Sequence, residues 1–327
     1  MTVNAAIVGL GRWGRTFVDS VQGKSARLRF VHAVEPQLAS ARELAQRQGL
    51  RLSADLSAAL ADVQVSAVVL ATPHSLHREQ VLACARAGKH VFCEKPLALR
   101  LSDAKEMVEA CQQADVVLGL GHNRRFWPSI RETARMMRAG ELGHVLHVEG
   151  HNSNENSNRV APGSWRDLPQ ESPGGGLTGS GLHVLDTFVS LLGPARRVHA
   201  QVLYTKPAPA PLDTMSAMYE FVCGASGLLG TIRATPFYWR LHIFGTAGSA
   251  ESLGETELVV RRGGKEPERV YLEPIDSVRA EIEAFAAAVE GGPAYPIPAH
   301  EVLWTVAAFE ATVRSLASRA AEQIDAA

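Results

Sequence analysis

Apolar positions along the chain follow two rhythms, and the change between them comes near residue 120. Before it, short runs of Val, Ile, Leu and Ala alternate with longer stretches whose apolar residues recur every three or four positions. The short runs carry no polar face, as strands of a parallel sheet covered by helices on both sides require. This pattern predicts strands at 4–8, 30–34, 67–70, 90–93 and 116–118, and helices at 12–22, 37–48, 76–87 and 102–114. In the third of these helices Leu76, Val81, Leu82 and Cys84 form a stripe that stops at Gly88, where a left-handed cap residue is wanted.

Beyond His122 the strands lengthen and alternate, at 145–151, 198–204, 215–222, 227–235 and 241–245, with turn signals at Cys223-Gly224 and Ala247-Gly248. A mostly antiparallel sheet fits this half. The alternating prolines of 206–211 cannot join a hydrogen-bonded ladder and read as an exposed loop, as does the polar stretch 152–158. Leu182, Leu185, Val189 and Leu192 mark a helix, and the helical period returns at 278–289 and 300–320, on either side of Gly291-Gly292-Pro293. The expected architecture is α/β: a doubly wound Rossmann domain over 1–121, then an α/β domain on a mostly antiparallel open sheet over 122–327. The closing helix, about 300–320, is free to pack back on the first domain.

With 327 residues, two domains are the natural expectation, and 46% hydrophobic with 20% charged residues is ordinary for a globular chain. Lys+Arg 33 against Asp+Glu 34 leaves a net charge of -1, so no overall field draws in nucleic acid or an anionic membrane. Apolar runs fall short of the ~18 residues of a membrane span, and Met1-Thr2-Val3-Asn4 does not open like a signal peptide. Cys84, Cys93, Cys111 and Cys223 are scattered and form no CxxC pair. A cytoplasmic protein with reduced thiols and no metal site is expected.

Gly9-Leu10-Gly11-Arg12-Trp13-Gly14 is a GxGxxG between an apolar strand and a helix. The first glycine allows the tight turn, the second lets the backbone approach a pyrophosphate, and the third lets helix and sheet close up, while amides at the helix start hold the anion. Glu35 ends the second strand about 20 residues on, the spacing of an acid that accepts from a ribose 2′-hydroxyl. NAD is favoured over NADP, because a 2′-phosphate would be repelled there and Pro36 and Gln37 bring no cation.

Two further stretches, Ala71-Thr72-Pro73-His74-Ser75-Leu76-His77 and Gly88-Lys89-His90-Val91-Phe92-Cys93-Glu94-Lys95-Pro96-Leu97, make the resemblance specific. With Gly121-His122-Asn123-Arg124-Arg125-Phe126, the glycine-rich 173–183 and Phe244-Gly245-Thr246-Ala247-Gly248, the chain resembles, over essentially its whole length, the glucose-fructose oxidoreductase, inositol dehydrogenase and rhizopine-catabolism (Gfo/Idh/MocA) family. The resemblance implies a Rossmann domain, a C-terminal domain whose open sheet makes subunit contacts in a homodimer or homotetramer, and a nicotinamide between the domains. It implies that Lys95 is catalytic or orients substrate, that Glu94 lies near the nicotinamide ribose, and that Thr72, Pro73 and His77 line the cofactor. Placed just beyond the carboxyl end of a parallel strand, Lys95 is where such sheets bind ligands, and shielding would lower its pKa toward a usable proton acceptor.

The second half of the site departs from the family. Members read Asp-x-Gly-x-His, but here the residues are Gly179-Ser180-Gly181-Leu182-His183, so His183 is kept and the carboxylate is lost. Asp186, one helical turn beyond His183, either replaces that partner or serves the helix structurally. Asn123, Arg124, Trp165 and Arg166, with His183, are candidates for holding substrate, an arginine fork being suited to a carboxylate. Trp127, Trp239 and Tyr238 read as core or interface aromatics. The resulting expectation is an NAD-dependent dehydrogenase of a sugar, polyol or inositol-like hydroxyl, with Lys95 and His183 as the catalytic pair. The alternatives are a dihydrodiol dehydrogenase for a carboxylated ring and a dinucleotide-binding sensor without turnover.

Overall fold

The first apolar run forms β1 (Val3–Val8), which is almost wholly buried and leads through the glycine turn into α1 (Arg12–Val21). There follow β2 (Leu28–Val34), α2 (Leu38–Gln48), β3 (Arg51–Ser53), α3 (Leu56–Leu60), β4 (Ala67–Leu70), α4 (His77–Arg86), β5 (His90–Glu94), α5 (Leu101–Gln113) and β6 (Leu118–Gly121). The strands are all parallel, in the order β3-β2-β1-β4-β5-β6. This is the doubly wound dinucleotide-binding order, and its switch point lies between β1 and β4, at the carboxyl ends of both. The computed structural model describes residues 2–155, 160–161, 163–206, 212–233 and 235–325.

The second run of elements is α6 (Pro128–Arg138), β7 (Val145–Ser153), α7 (Leu182–Leu192), β8 (Ala195–Lys206), β9 (Leu212–Phe221), β10 (Ser226–Ile232), β11 (Tyr238–Gly245), β12 (Gly248–Ser252), β13 (Glu257–Arg262), β14 (Glu268–Tyr271), α8 (Ser277–Val289), α9 (Ala299–Ser318) and β15 (Glu322–Gln323). The nine strands form one sheet, β14-β13-β12-β11-β7-β10-β9-β8-β15, in which only β7 and β10 are parallel neighbours. Helix α7 lies directly on its centre. A side chain at Gly150 of β7 would overlap Val184 and come within 2.8 Å of Phe188. Helix α9 is fixed to the same face by a buried bond of 2.8 Å between the Tyr219 and Thr312 hydroxyls. On the opposite face Leu203, Met218 and Leu228 stand exposed.

The chain divides into two compact units, Met1–Asn123 with Asp276–Ala299, and Arg124–Ile275 with His300–Ala327. The returning segment 276–299 is integral to the first. Phe285 of α8 is fully buried and meets Phe92 of β5 edge to face at 5.6 Å, while the Tyr295 hydroxyl donates to Leu120 O at 2.8 Å. Chain order alone assigns this segment to the second half.

Most elements begin and end within a few residues of where the apolar pattern puts them. The strand expected at 116–118 forms instead at Leu118–Gly121, because small residues are needed there: a side chain at Gly119 would meet Phe92 and Phe285 at 2.9 Å. Glycine hides a strand from a propensity reading. The polar stretch 152–158 is not a loop throughout, since Asn152 and Ser153 end β7, and 156–158 lie outside the described residues. Lys206 ends β8, and the proline segment 207–211 is also outside them. Short or weakly patterned elements, β3, α3, α6 and β12 to β14, were not anticipated by periodicity.

The Phe285 contact gives a stability test. Phe285→Ala removes a fully buried ring, and should cost about 3–5 kcal/mol. Urea unfolding should show an earlier midpoint for the first unit. An unchanged midpoint would mean that α8 is not part of that unit's core.

Candidate active site

The turn after β1 is set by two glycines whose side chains have no room. Gly9 has φ +86°, and a Cβ there would lie 2.7 Å from Ala71 O, in the loop that follows β4. A Cβ at Gly14 would overlap Gly9 O, so the first turn of α1 closes directly on the loop. Gly11 is different: it is exposed, has an ordinary extended backbone, and a Cβ there would meet nothing. It stands at the start of α1, whose first turn holds no acidic residue and whose cap makes no side-chain hydrogen bond. Outward amides beside an open glycine fit a dinucleotide pyrophosphate. Arg12, also exposed, begins the helix.

Glu35 lies immediately beyond β2, with Oε2 accepting from Leu10 N at 2.9 Å and Oε1 from Gln37 N at 3.2 Å. Its carboxylate is thus fixed against the phosphate loop. Pro36 and Gln37 are exposed and uncharged, as expected. A cation that the sequence reading did not weigh, Arg15, is spent on carbonyls: Nε donates to Leu10 O at 2.9 Å and a terminal nitrogen to Ser40 O at 2.6 Å. Residues present therefore fit an unphosphorylated ribose.

The loop after β4 carries Thr72 and Pro73, both half-buried, with Thr72 Oγ1 donating to Gln80 at 2.6 Å. His77, expected to line the cofactor, is fully buried. Its ring nitrogens face Pro96 O at 2.8 Å and Thr72 O at 3.1 Å, so it braces this loop against the Lys95-Pro96 turn from behind. Glu94 ends β5, buried, and accepts from the Trp13 indole N–H and, at 3.2 Å, from Lys95 N. A side chain at Gly121 of β6 would come within 2.5 Å of Glu94 Oε1. Lys95 itself is half-buried at the strand's carboxyl end, and its peptide bond to Pro96 is cis. The first unit thus gathers Gly9, Gly11, Trp13, Gly14, Glu35, Thr72, Glu94 and Lys95 at one edge of the parallel sheet.

Among the substrate candidates, Asn123 is buried and donates to Ser277 Oγ at 3.3 Å, a structural contact of the first unit. In the second unit Arg124 lies 3.9 Å over the ring of Trp127, which with Trp239 is buried in the core. Arg166 stacks 4.0 Å over Trp165 and is exposed. The glycine-rich segment ends in a single wide helical turn, Leu177–Gly181, that runs into α7 and presents half-buried His183 in the first turn of that helix. Gly179 is exposed, and a Cβ there would meet nothing, so the place of the family carboxylate is sterically open.

Asp186 is fully buried and is held by two parallel bonds from Arg125, 2.7 and 2.6 Å. Arg125 also pairs with Glu301 of α9. Burial opposes the charge on Arg125, but Asp186 and Glu301 outweigh it and push its pKa up. Of the two readings of Asp186, this geometry supports the structural one. Periodicity and motif reading missed a further carboxylate, Asp213, which is buried and accepts from Gly176 N at 3.2 Å and from Arg233 Nε at 2.6 Å. It fixes the glycine segment: a side chain at Gly175 would stand 2.7 Å from Asp213 Oδ2. Among the described residues, no group of three or more His, Cys, Asp or Glu is placed to hold a metal ion, and no helix is long and apolar enough to cross a membrane.

Residues 3–122 match the oxidoreductase family with an NAD-binding Rossmann fold, and 130–251 match the GFO/IDH/MocA C-terminal domain. The chain is 31% identical over 276 residues to the 2,7-anhydro-N-acetylneuraminate hydratase of Escherichia coli K12, covering 80% of this chain and 71% of that protein. It is 29% identical to the myo-inositol 2-dehydrogenase of Thermotoga maritima, covering 88% of each. Among solved structures, levoglucosan dehydrogenase in complex with NADH and L-sorbose shares the fold, with a TM-score of 0.89, 24% identity and 99% of each chain covered.

The fixed carboxylate of Glu35 generates a test of cofactor choice. NADH should bind at least ~10-fold more tightly than NADPH, a difference of about 1.4 kcal/mol, and Glu35→Ser with Pro36→Arg should narrow the gap. Fluorescence titrations giving equal affinities for the unaltered protein would sink the assignment.

Proposed function

The chain belongs to the GFO/IDH/MocA oxidoreductase family, and from that premise we propose that it is an NAD-dependent dehydrogenase of a hydroxyl on a sugar, polyol or inositol-like substrate, working equally on the carbonyl in reverse. The observation that carries this reading is the joining of the open Gly11 loop and the Glu94-Lys95 turn at one edge of a single parallel sheet. When bound, NAD supplies the hydride acceptor. Gly11 and the amides of α1 hold its pyrophosphate, and Glu35 its ribose.

Lys95 takes the proton of the reacting hydroxyl. Lys95 is half-buried at the carboxyl end of β5, within reach of a ligand at the edge of the parallel sheet. His183 is the second catalytic residue of this reading, and within its own unit the turn pinned by Asp213 and the anchor of Asp186 to Arg125 hold its helix. Relatives named for an inositol and for 2,7-anhydro-N-acetylneuraminate support a hydroxyl-rich ring substrate, uncharged in the first case and carboxylated in the second.

A carboxylated cyclic diol is the weaker reading. It rested on the missing carboxylate at 179 and on Arg124 and Arg166, and of these Arg124 lies over the buried ring of Trp127 while Arg166 stacks over Trp165 and is exposed. A sensor without turnover would leave the placement of Lys95 unexplained.

We also propose that the chain is cytoplasmic and forms a homodimer or homotetramer through the outer face of its nine-stranded sheet. Its partners are then a second copy and a small-molecule substrate. Four free thiols, three of them buried, support a reducing compartment. On the sheet face, Met218 and Leu228 are exposed cross-strand neighbours, with Leu203 nearby in β8. Apolar residues grouped on an uncovered sheet face favour a self-complementary contact.

Activity is tested by NAD reduction across polyols, aldoses and dihydrodiols; cofactor binding without turnover on any of them would favour the sensor. Lys95→Ala should lower kcat by roughly 10²–10⁴ with NADH binding nearly intact, and loss of cofactor binding would instead make Lys95 a binding residue. His183→Ala should cost less. Gly179→Asp has room for its side chain, and its carboxylate would favour the imidazolium and move a histidine-dependent limb of the rate profile to higher pH. An unmoved profile in a folded, cofactor-binding variant would remove His183 from proton transfer.

Light scattering should find a dimer or tetramer at micromolar concentration. Met218→Glu with Leu228→Lys should shift it toward monomer. A monomeric unaltered protein would refute the interface.

A further inference from the structure

The fifth position of the glycine motif has no side-chain duty in holding a phosphate, since the loop works through its backbone. Here that position is Trp13, and its indole N–H donates to Glu94 Oε1, across 81 residues of sequence. The indole is held from its other side, edge to face with Phe17 at 6.0 Å, and Phe17 in turn meets Phe92 of β5 at 5.6 Å. The Glu94 carboxylate is buried and occupies the place where a side chain at Gly121 would stand. Its second oxygen accepts the amide of Lys95. A chain of contacts therefore runs from the first turn of α1 through an indole and a carboxylate to the backbone of the proposed catalytic lysine.

We propose that Trp13 is a positioning residue that ties occupancy of the phosphate loop to the placement of Lys95. This rests on the dinucleotide reading of that loop. Binding an anion at the amides of α1 orders its first turn, and with it Trp13. The indole then holds the carboxylate that fixes the Lys95 turn. Removing the N–H takes a hydrogen-bond donor from a buried carboxylate, a loss that makes the carboxylate and the turn it fixes rearrange. Linkage is reciprocal, so loosening Glu94 must also weaken the response of Trp13 to the dinucleotide.

The test uses the full chain labelled with ¹⁵N-tryptophan and, separately, ¹⁵N-lysine. The five tryptophans give five indole signals; Trp13→Phe identifies one of them, and Lys95→Arg identifies the Lys95 amide. The Trp13 indole signal should move in Glu94→Gln. NADH should move both signals in the unaltered protein, and the Lys95 response should fall at least ~2-fold in Trp13→Phe. In turnover, Trp13→Phe should lower kcat about 10-fold with the NADH dissociation constant changed less than about 3-fold, a misplacement effect. Trp13→Phe combined with Glu94→Gln should be no slower than the worse single variant, as for two groups acting in one chain.

A Lys95 amide that answers NADH equally with and without the indole would overturn the proposal, as would additive kinetic losses. Should Trp13→Phe fail to fold, Phe substitutions of the other four tryptophans identify the Trp13 signal by elimination; its shift in Glu94→Gln then decides the pairing and its NADH response decides the coupling. NADH failing to bind the unaltered protein would overturn the dinucleotide reading together with the coupling. Binding with an indifferent Lys95 overturns the coupling alone.

Discussion

Helix α1 can begin where it does only because residues 9 and 14 have no side chains. A Cβ at Gly14 would overlap the carbonyl of Gly9, and one at Gly9 would press on Ala71 at the end of β4. Backbone contact at this crossing draws together the carboxyl ends of β1 and β4, the switch point of the sheet. It puts the amides of α1 at the mouth of that crevice and the backbone of Leu10 within reach of Glu35. It also carries Trp13 to Glu94. One steric constraint in the sequence thus positions the open Gly11 turn, the Glu35 carboxylate and the Lys95 turn in a single step.

The second unit is organised by charge rather than by glycine. Burying Asp186 and Arg125 sacrifices hydration that only good geometry and further partners can offset. Two parallel bonds between them, together with Glu301, meet that requirement. Such a cluster adds little net stability compared with an apolar core, but breaking it is severe, because removing one partner strands a buried charge. Its effect is to hold α7 to one register against α9, and His183 sits one turn earlier on α7. Asp213 and Arg233 do the same for the segment leading into that helix. The helix that carries His183 is therefore held by two buried ion pairs.

How much of this could be read from the sequence depends on whether the information is local. β1, β4 and β5 are visible because burial on both faces leaves a continuous apolar run, and the GxGxxG is visible because its steric reasons lie within six residues. β6 was displaced because its glycines, required by Phe285 and Glu94 from distant segments, look like a turn. His77 was assigned to the right loop but the wrong surface: the motif locates the residue, and only packing shows that its ring faces the carbonyls of Thr72 and Pro96. The partner of Asn123 was hidden for the same reason, Ser277 lying 154 residues away. Asp213 was invisible because its partners, Gly176 and Arg233, fall in no recognisable spacing with it.

Gly179 is the place where the two units' logics diverge. At Gly9, Gly14, Gly121 and Gly175 the missing side chain lets backbone or a carboxylate approach, but Gly179, like Gly11, has open space around it, so packing does not exclude a side chain there. The buried acids Asp186 and Asp213 in the same unit are paired with Arg125 and Arg233. The backbone of Lys95 is fixed within the first unit, through Glu94, Trp13 and the crossing of Gly9 with Gly14.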